Sequence, residues 1–101
     1  MSEIKHITEA DGTQSWTVDG ELHRIDGPAL IHADGSECWY QYGERHRLDG
    51  PAIIRSNGYQ FWFINGNEIT EDVENWLETN NITYPFTKEE QVQFILTFSG
   101  G

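Results

Sequence analysis

The sequence predicts a mainly β protein of α+β type: an antiparallel β-meander of tandem 23-residue hairpins, closed by one or two short C-terminal α-helices. Three observations predict it. Asp11-Gly12, Asp34-Gly35 and Asn57-Gly58 recur at intervals of 23, as do Trp16, Trp39 and Trp62, and Gly20, Gly43 and Gly66. Residues 11–33 and 34–56 match at 12 of 23 positions without a gap. Beyond Thr70 the spacing of apolar residues changes from strand-like to helical.

Each repeat begins with Asp-Gly or Asn-Gly, a pair that favours a tight hairpin turn because Gly tolerates positive φ and Asn or Asp tolerates the left-handed region. The next run is strand-forming. Ser36-Glu37-Cys38-Trp39-Tyr40-Gln41-Tyr42 and Gln60-Phe61-Trp62-Phe63-Ile64 are rich in aromatic and β-branched residues. Gly20, Gly43 and Gly66 then close that strand with a second turn. Pro28-Ala29-Leu30-Ile31-His32 and Pro51-Ala52-Ile53-Ile54-Arg55 supply the following strand, with proline at a start that needs no ladder donor. About six or seven short strands result, over residues 4–69. Stacked units share a ribbon of Trp and aliphatic side chains that no single unit could bury.

The third copy starts at Asn57 and lacks the second half of the unit. Instead Thr70 is placed to cap a helix, with Glu71 and Asp72 in its first turn. Val73, Trp76 and Leu77 make one apolar stripe over 71–79, and Asn80-Asn81 ends it. After an extended link through Pro85, Thr87-Lys88-Glu89-Glu90 matches a capping box for a helix over 88–97. Its expected face is Val92, Ile95 and Leu96, with Phe94 and Phe98 beside it. The run 92–98 is also β-rich enough to read as a strand. The segment 70–98 is expected to cap the open end of the meander, in one domain of 101 residues.

Composition narrows the function classes. The net charge is −11, with 17 acidic residues against six Lys and Arg. Direct binding to nucleic acid or an acidic membrane is disfavoured, because phosphates are repelled. Such a surface instead attracts a basic partner, imitates a phosphate backbone, or simply keeps the protein in solution. The longest apolar run, Phe61-Trp62-Phe63-Ile64, is far too short to span a membrane, and Met1-Ser2-Glu3-Ile4-Lys5 does not read as a secretory signal. Cys38 is the single cysteine, so no internal disulfide is available and a reducing cytoplasm is the simplest compartment. Beside Trp39 it reads as a packed thiol.

No phosphate-binding loop, nucleophile elbow or zinc-protease signature occurs. The four histidines, His6, His23, His32 and His46, lack ligand spacing. No cofactor, metal or catalytic residue is therefore assigned, and the protein is expected not to be an enzyme. The candidate partner-binding residues are the strand aromatics Tyr40, Tyr42, Phe61 and Phe63, and the pairs His23-Arg24 and His46-Arg47. An alternative reading makes those pairs a small-ligand or enzyme site. Duplication argues against that, since a catalytic site needs distinct roles in one place. The structural reading has each His and Arg bond the turn of its own unit, whose residues are Asp26, Gly27 and Pro28 in one copy and Asp49, Gly50 and Pro51 in the next. The terminal Ser99-Gly100-Gly101 reads as a flexible end.

The spacing aromatic-x-x-Gly-Glu-x-His, as in Tyr40-x-x-Gly43-Glu44-x-His46, followed by Asp-Gly on a 23-residue period, resembles the MORN repeat. The full His-Arg-x-Asp-Gly-Pro-Ala form is similar to MORN-variant repeats of small proteins encoded by tailed bacteriophages and large DNA viruses. The likeness covers about residues 7–69. It implies a scaffold that binds a host protein, in the host cytoplasm, and modulates a defence or takeover factor. The acidic charge keeps a second function in view, a DNA-mimic inhibitor of a nucleic-acid-binding host protein. An open first strand near Ile4 to Thr8 also offers an edge for a homodimer.

Overall fold

A computed structural model describes residues 3–99, so Met1, Ser2 and the Gly100-Gly101 tail lie outside the described residues. The strands are β1 (Lys5–Thr8), β2 (Gln14–Val18), β3 (Glu21–Leu22), β4 (Leu30–Ile31), β5 (Glu37–Cys38), β6 (Tyr40–Gln41), β7 (Glu44–Arg45), β8 (Ile53–Ile54), β9 (Gln60–Phe61), β10 (Phe63–Ile64) and β11 (Asn67–Glu68). Two helices follow, α1 (Thr70–Thr79) and α2 (Lys88–Phe98). The main sheet runs β1-β2-β4-β5-β8-β9, with β3 against β2, and every pairing is antiparallel. Two further ladders, β6 with β7 and β10 with β11, stand off this sheet. The expected meander with its helical cap is thus the fold.

The extra ladders arise because the long strands break at Trp39 and Trp62. The Trp39 N–H donates to the Ala52 carbonyl, just past the closing turn of the same unit. Its carbonyl accepts from the His46 N–H of its own hairpin. One residue therefore hands the chain from the main sheet to the local hairpin.

The turn chemistry differs from expectation. Two-residue hairpin turns with both residues at positive φ occur at 19–20, 42–43 and 65–66, not at the Asp-Gly and Asn-Gly pairs. Tyr42 (φ 49) and Gly43 (φ 80) are one example. At 11–12, 34–35 and 57–58 only the glycine is left-handed. There the Asp or Asn acts through its side chain. Asp11, Asp34 and Asn57 each accept the N–H two residues on, from Thr13, Ser36 and Tyr59, at 2.9–3.1 Å.

The core lies at the helical end. Trp62, Ile64, Val73 and Phe94 form its buried centre. Trp62 meets the rings of Tyr84, Phe86 and Phe94 at centroid distances of 5.6, 5.8 and 5.3 Å. The capping box of α2 is present: Thr87 Oγ1 accepts from the Glu90 N–H, and Glu90 accepts from the Thr87 N–H. The run 92–98 is helix, not strand. Its buried face is Phe94, with Ile95 and Phe98 packed beside it, whereas Val92 and Leu96 point outward. Aromatic area decides this rotation, because Phe94 and Phe98 together meet Trp76, at 5.9 and 5.7 Å. Thr70 does not cap α1, whose N-cap is Ile69. Its hydroxyl instead accepts from the Trp62 N–H at 2.9 Å and donates to Glu68. That oxygen stands where Ala52 O serves Trp39, so α1 ends the ladder that another repeat would continue. Among the described residues no helix is long and apolar enough to cross a membrane.

Candidate functional site

The repeated turn resolves into a fixed cradle. Arg47 lies over the Trp39 ring, its Cζ 3.7 Å from the centroid. Its Nε donates to Asp49 at 2.8 Å and Nη1 to the Pro51 carbonyl at 3.1 Å. Arg24 does the same over Trp16 at 4.0 Å, with Asp26 at 3.3 Å and the Pro28 carbonyl at 3.2 Å. Gly27 and Gly50 give the guanidinium its space: a Cβ at Gly27 would come within 2.8 Å of Arg24 Cζ. Ala29 and Ala52 are fully buried. Each histidine reaches forward one unit. His23 Nδ1 accepts from the Tyr42 N–H at 3.0 Å, and His46 Nδ1 accepts from the Asn65 N–H at 2.9 Å. The histidines therefore hold each unit to the hairpin turn of the next, while the arginines brace the turn of their own unit.

The aromatic candidates do not form one surface. Tyr42 is exposed, but it sits on a turn and packs at a tilt against the His23 ring, 4.3 Å between centroids. Phe63 is buried, and Tyr40 and Phe61 are half-buried. Phe61 belongs to a cross-strand row, Ile7–Ser15–Leu30–Cys38–Ile53–Phe61, on one face of the main sheet. Trp16, Trp39 and Trp62 alternate to the opposite side.

Over the row's face lies a groove of about 550 Å³, lined by Asp11, His32, Ala33, Asp34, Ser36, Cys38, Arg45, Ile53 and Arg55. Arg45 covers the Phe63 ring at 5.3 Å and Arg55 covers Phe61 at 5.4 Å. Both arginines are exposed. Among the described residues the ion pairs are those of Arg24 and Arg47, so neither groove arginine has a carboxylate partner. The groove also carries carboxylates. The Thr13 and Ser36 N–H groups hold the Asp11 and Asp34 carboxyls below the usual carboxylate range, so both are ionised. Burial pushes the Cys38 thiol up, which leaves it protonated on the groove floor.

Sequence reasoning singled out Phe61 and Phe63 and read Cys38 as the packed thiol that it is, but missed Arg45 and Arg55. The signal was present as a departure from the repeat. Arg45 aligns with Leu22 and Glu68, Arg55 with His32, and Cys38 with Ser15 and Phe61. What the fold requires appears in each unit, whereas these residues appear once.

Among the described residues no three His, Cys, Asp or Glu side chains converge as a metal-binding group. Comparison with protein-family models, with curated proteins and with solved structures finds no match to this chain.

Proposed function

We propose that this chain is a non-enzymatic binding module that engages another protein through the groove beneath Arg45 and Arg55. One observation carries the reading: two exposed arginines without carboxylate partners among the described residues stand over the rings of Phe61 and Phe63, at 5.4 and 5.3 Å. Arginine on an aromatic base is a common interface anchor, because the ring restricts the side chain before a partner arrives. The resemblance to MORN-variant repeats suggests the setting, a viral accessory protein acting on a host protein in the cytoplasm.

The test compares affinity capture from bacterial lysate by the wild-type chain and by Arg45→Glu and Phe61→Ala variants, with folding checked by amide NMR spectra. A host protein enriched by wild type and lost with both folded variants supports the proposal. Capture that ignores both substitutions, or enrichment of nothing, overturns it.

A further inference from the structure

We propose that this groove holds an oxyanion site, taking one carboxylate or phosphate group between the guanidinium groups of Arg45 and Arg55. The inference rests on the binding-module reading and names the chemistry its ligand presents.

The distribution of positive charge points there. The chain has six Lys and Arg residues. Arg24 and Arg47 are fixed in the tryptophan cradles, while Arg45 and Arg55 meet at one groove. Their bases, Phe61 and Phe63, are separated only by Trp62, where the chain passes from β9 to β10. Two guanidinium groups that line one groove repel each other, and an oxyanion bound there can accept N–H donors from both. The Ser36 side adds polar lining, and Cys38 and Ile53 supply an apolar floor.

The carboxylates of the groove limit the ligand. Asp11 and Asp34 line it with His32 and are ionised, and Asp34 accepts from the hydroxyl of Ser56, the neighbour of Arg55. A polyphosphate or nucleic-acid strand laid along the groove would bring further phosphates against these carboxylates. A single acidic side chain, or a single phosphorylated one, presents one anionic group to the arginines. This fits a chain whose net charge of −11 repels extended polyanions.

The pair has no structural duty visible in the repeat. The first unit has Leu22 and His32 at these two positions and folds the same way. Substitution of either arginine is therefore expected to leave the fold intact.

The test is a titration with inorganic phosphate, and separately acetate, followed through the arginine Nε–H resonances, with chloride as the ionic-strength control. Alkylation of Cys38 gives a second readout, since a bound anion covers the groove floor. The expected result is saturable shifts at Arg45 and Arg55 and slower alkylation. Arg45→Ala and Arg55→Ala should each weaken binding by about 10-fold or more, as loss of a charged hydrogen bond implies. Asp34→Asn should tighten binding several-fold. It removes the opposing charge and keeps the turn, because Asn57 makes the same bond to Tyr59 in the third unit. Stronger saturation by phosphate than acetate assigns the phosphorylated source, and the reverse assigns the carboxylate.

Shifts no larger than those with chloride overturn the oxyanion site, as does binding that survives both alanine variants. A partner captured through Phe61 but indifferent to phosphate and acetate also overturns it, and leaves the binding module standing. Anion binding without any captured partner has the opposite effect.

Discussion

The guanidinium of Arg47 lies 3.7 Å from the centre of the Trp39 ring, and the same side chain binds Asp49 and the Pro51 carbonyl. One residue thus joins the start of a unit to its closing turn. Arg47→Ala removes a stacked cation and two charge-assisted hydrogen bonds, so it should lower stability by about 2–3 kcal/mol in chemical denaturation. Arg24→Ala should cost less, because Arg24 is more exposed and its Asp26 contact is longer, at 3.3 Å. Lysine should rescue neither, as it lacks the planar fork.

Gly50 is enclosed more tightly than Gly27. A Cβ there would fall 2.7 Å from Arg47 Cζ and 2.6 Å from the Tyr84 hydroxyl, whereas at Gly27 it meets Arg24. Gly50→Ala is expected to destabilise by about 1–3 kcal/mol, by displacing both the cradle and the link between the helices. Gly27→Ala should cost less, because Arg24 has open space to move into. Paired melting curves decide this.

These two sites also show what the sequence makes legible. A 23-residue repeat of Trp, Gly and His-Arg-x-Asp-Gly-Pro-Ala identifies the hairpin array, because each residue meets its partner within its own unit or the next. The direction of α2 was not legible. Val92, Ile95 and Leu96 make as regular a stripe as Phe94 and Phe98, and only the position of Trp62 and Trp76 chooses between them. The groove was half legible. Its phenylalanines lie in an obvious strand, but Arg45 and Arg55 come together only through pairing of β5, β8 and β9 and folding-back of β7.

That choice of helix face gives the next test. Phe94 is fully buried against Trp62, Trp76, Phe86 and Phe98. Phe94→Ala should cost about 3–5 kcal/mol, enough to unfold much of the population. Val92→Ala and Leu96→Ala should stay within about 1 kcal/mol, since both side chains are more than half exposed, at 56% and 62%. Equal losses at Val92 and Phe94 would contradict this packing.

His46 links stability to pH. Its Nδ1 must keep a lone pair to accept the Asn65 N–H, and burial holds its pKa below the ordinary 6.5, against a smaller opposing pull from Glu44. The unfolded chain therefore binds this proton at higher pH than the folded chain does. Stability from this group is complete above 6.5 and declines as pH falls toward the folded value. Thermal midpoints across that window should drop less in His46→Gln than in the wild type.

β1 occupies the place in its unit that β4 and β8 occupy in theirs. Those two are paired on both edges, while β1 has one paired edge among the described residues and all four of its residues are exposed. At the other end α1 and α2 enclose Trp62. Cohesion in the array is consequently graded, and the chain has a direction of unravelling. Amide hydrogen exchange should be fastest in β1, slower unit by unit, and slowest around Trp62 and Phe94. A ligand seated over Cys38 would grip the middle of that gradient, so its binding should slow exchange in the second unit while the first continues to fray.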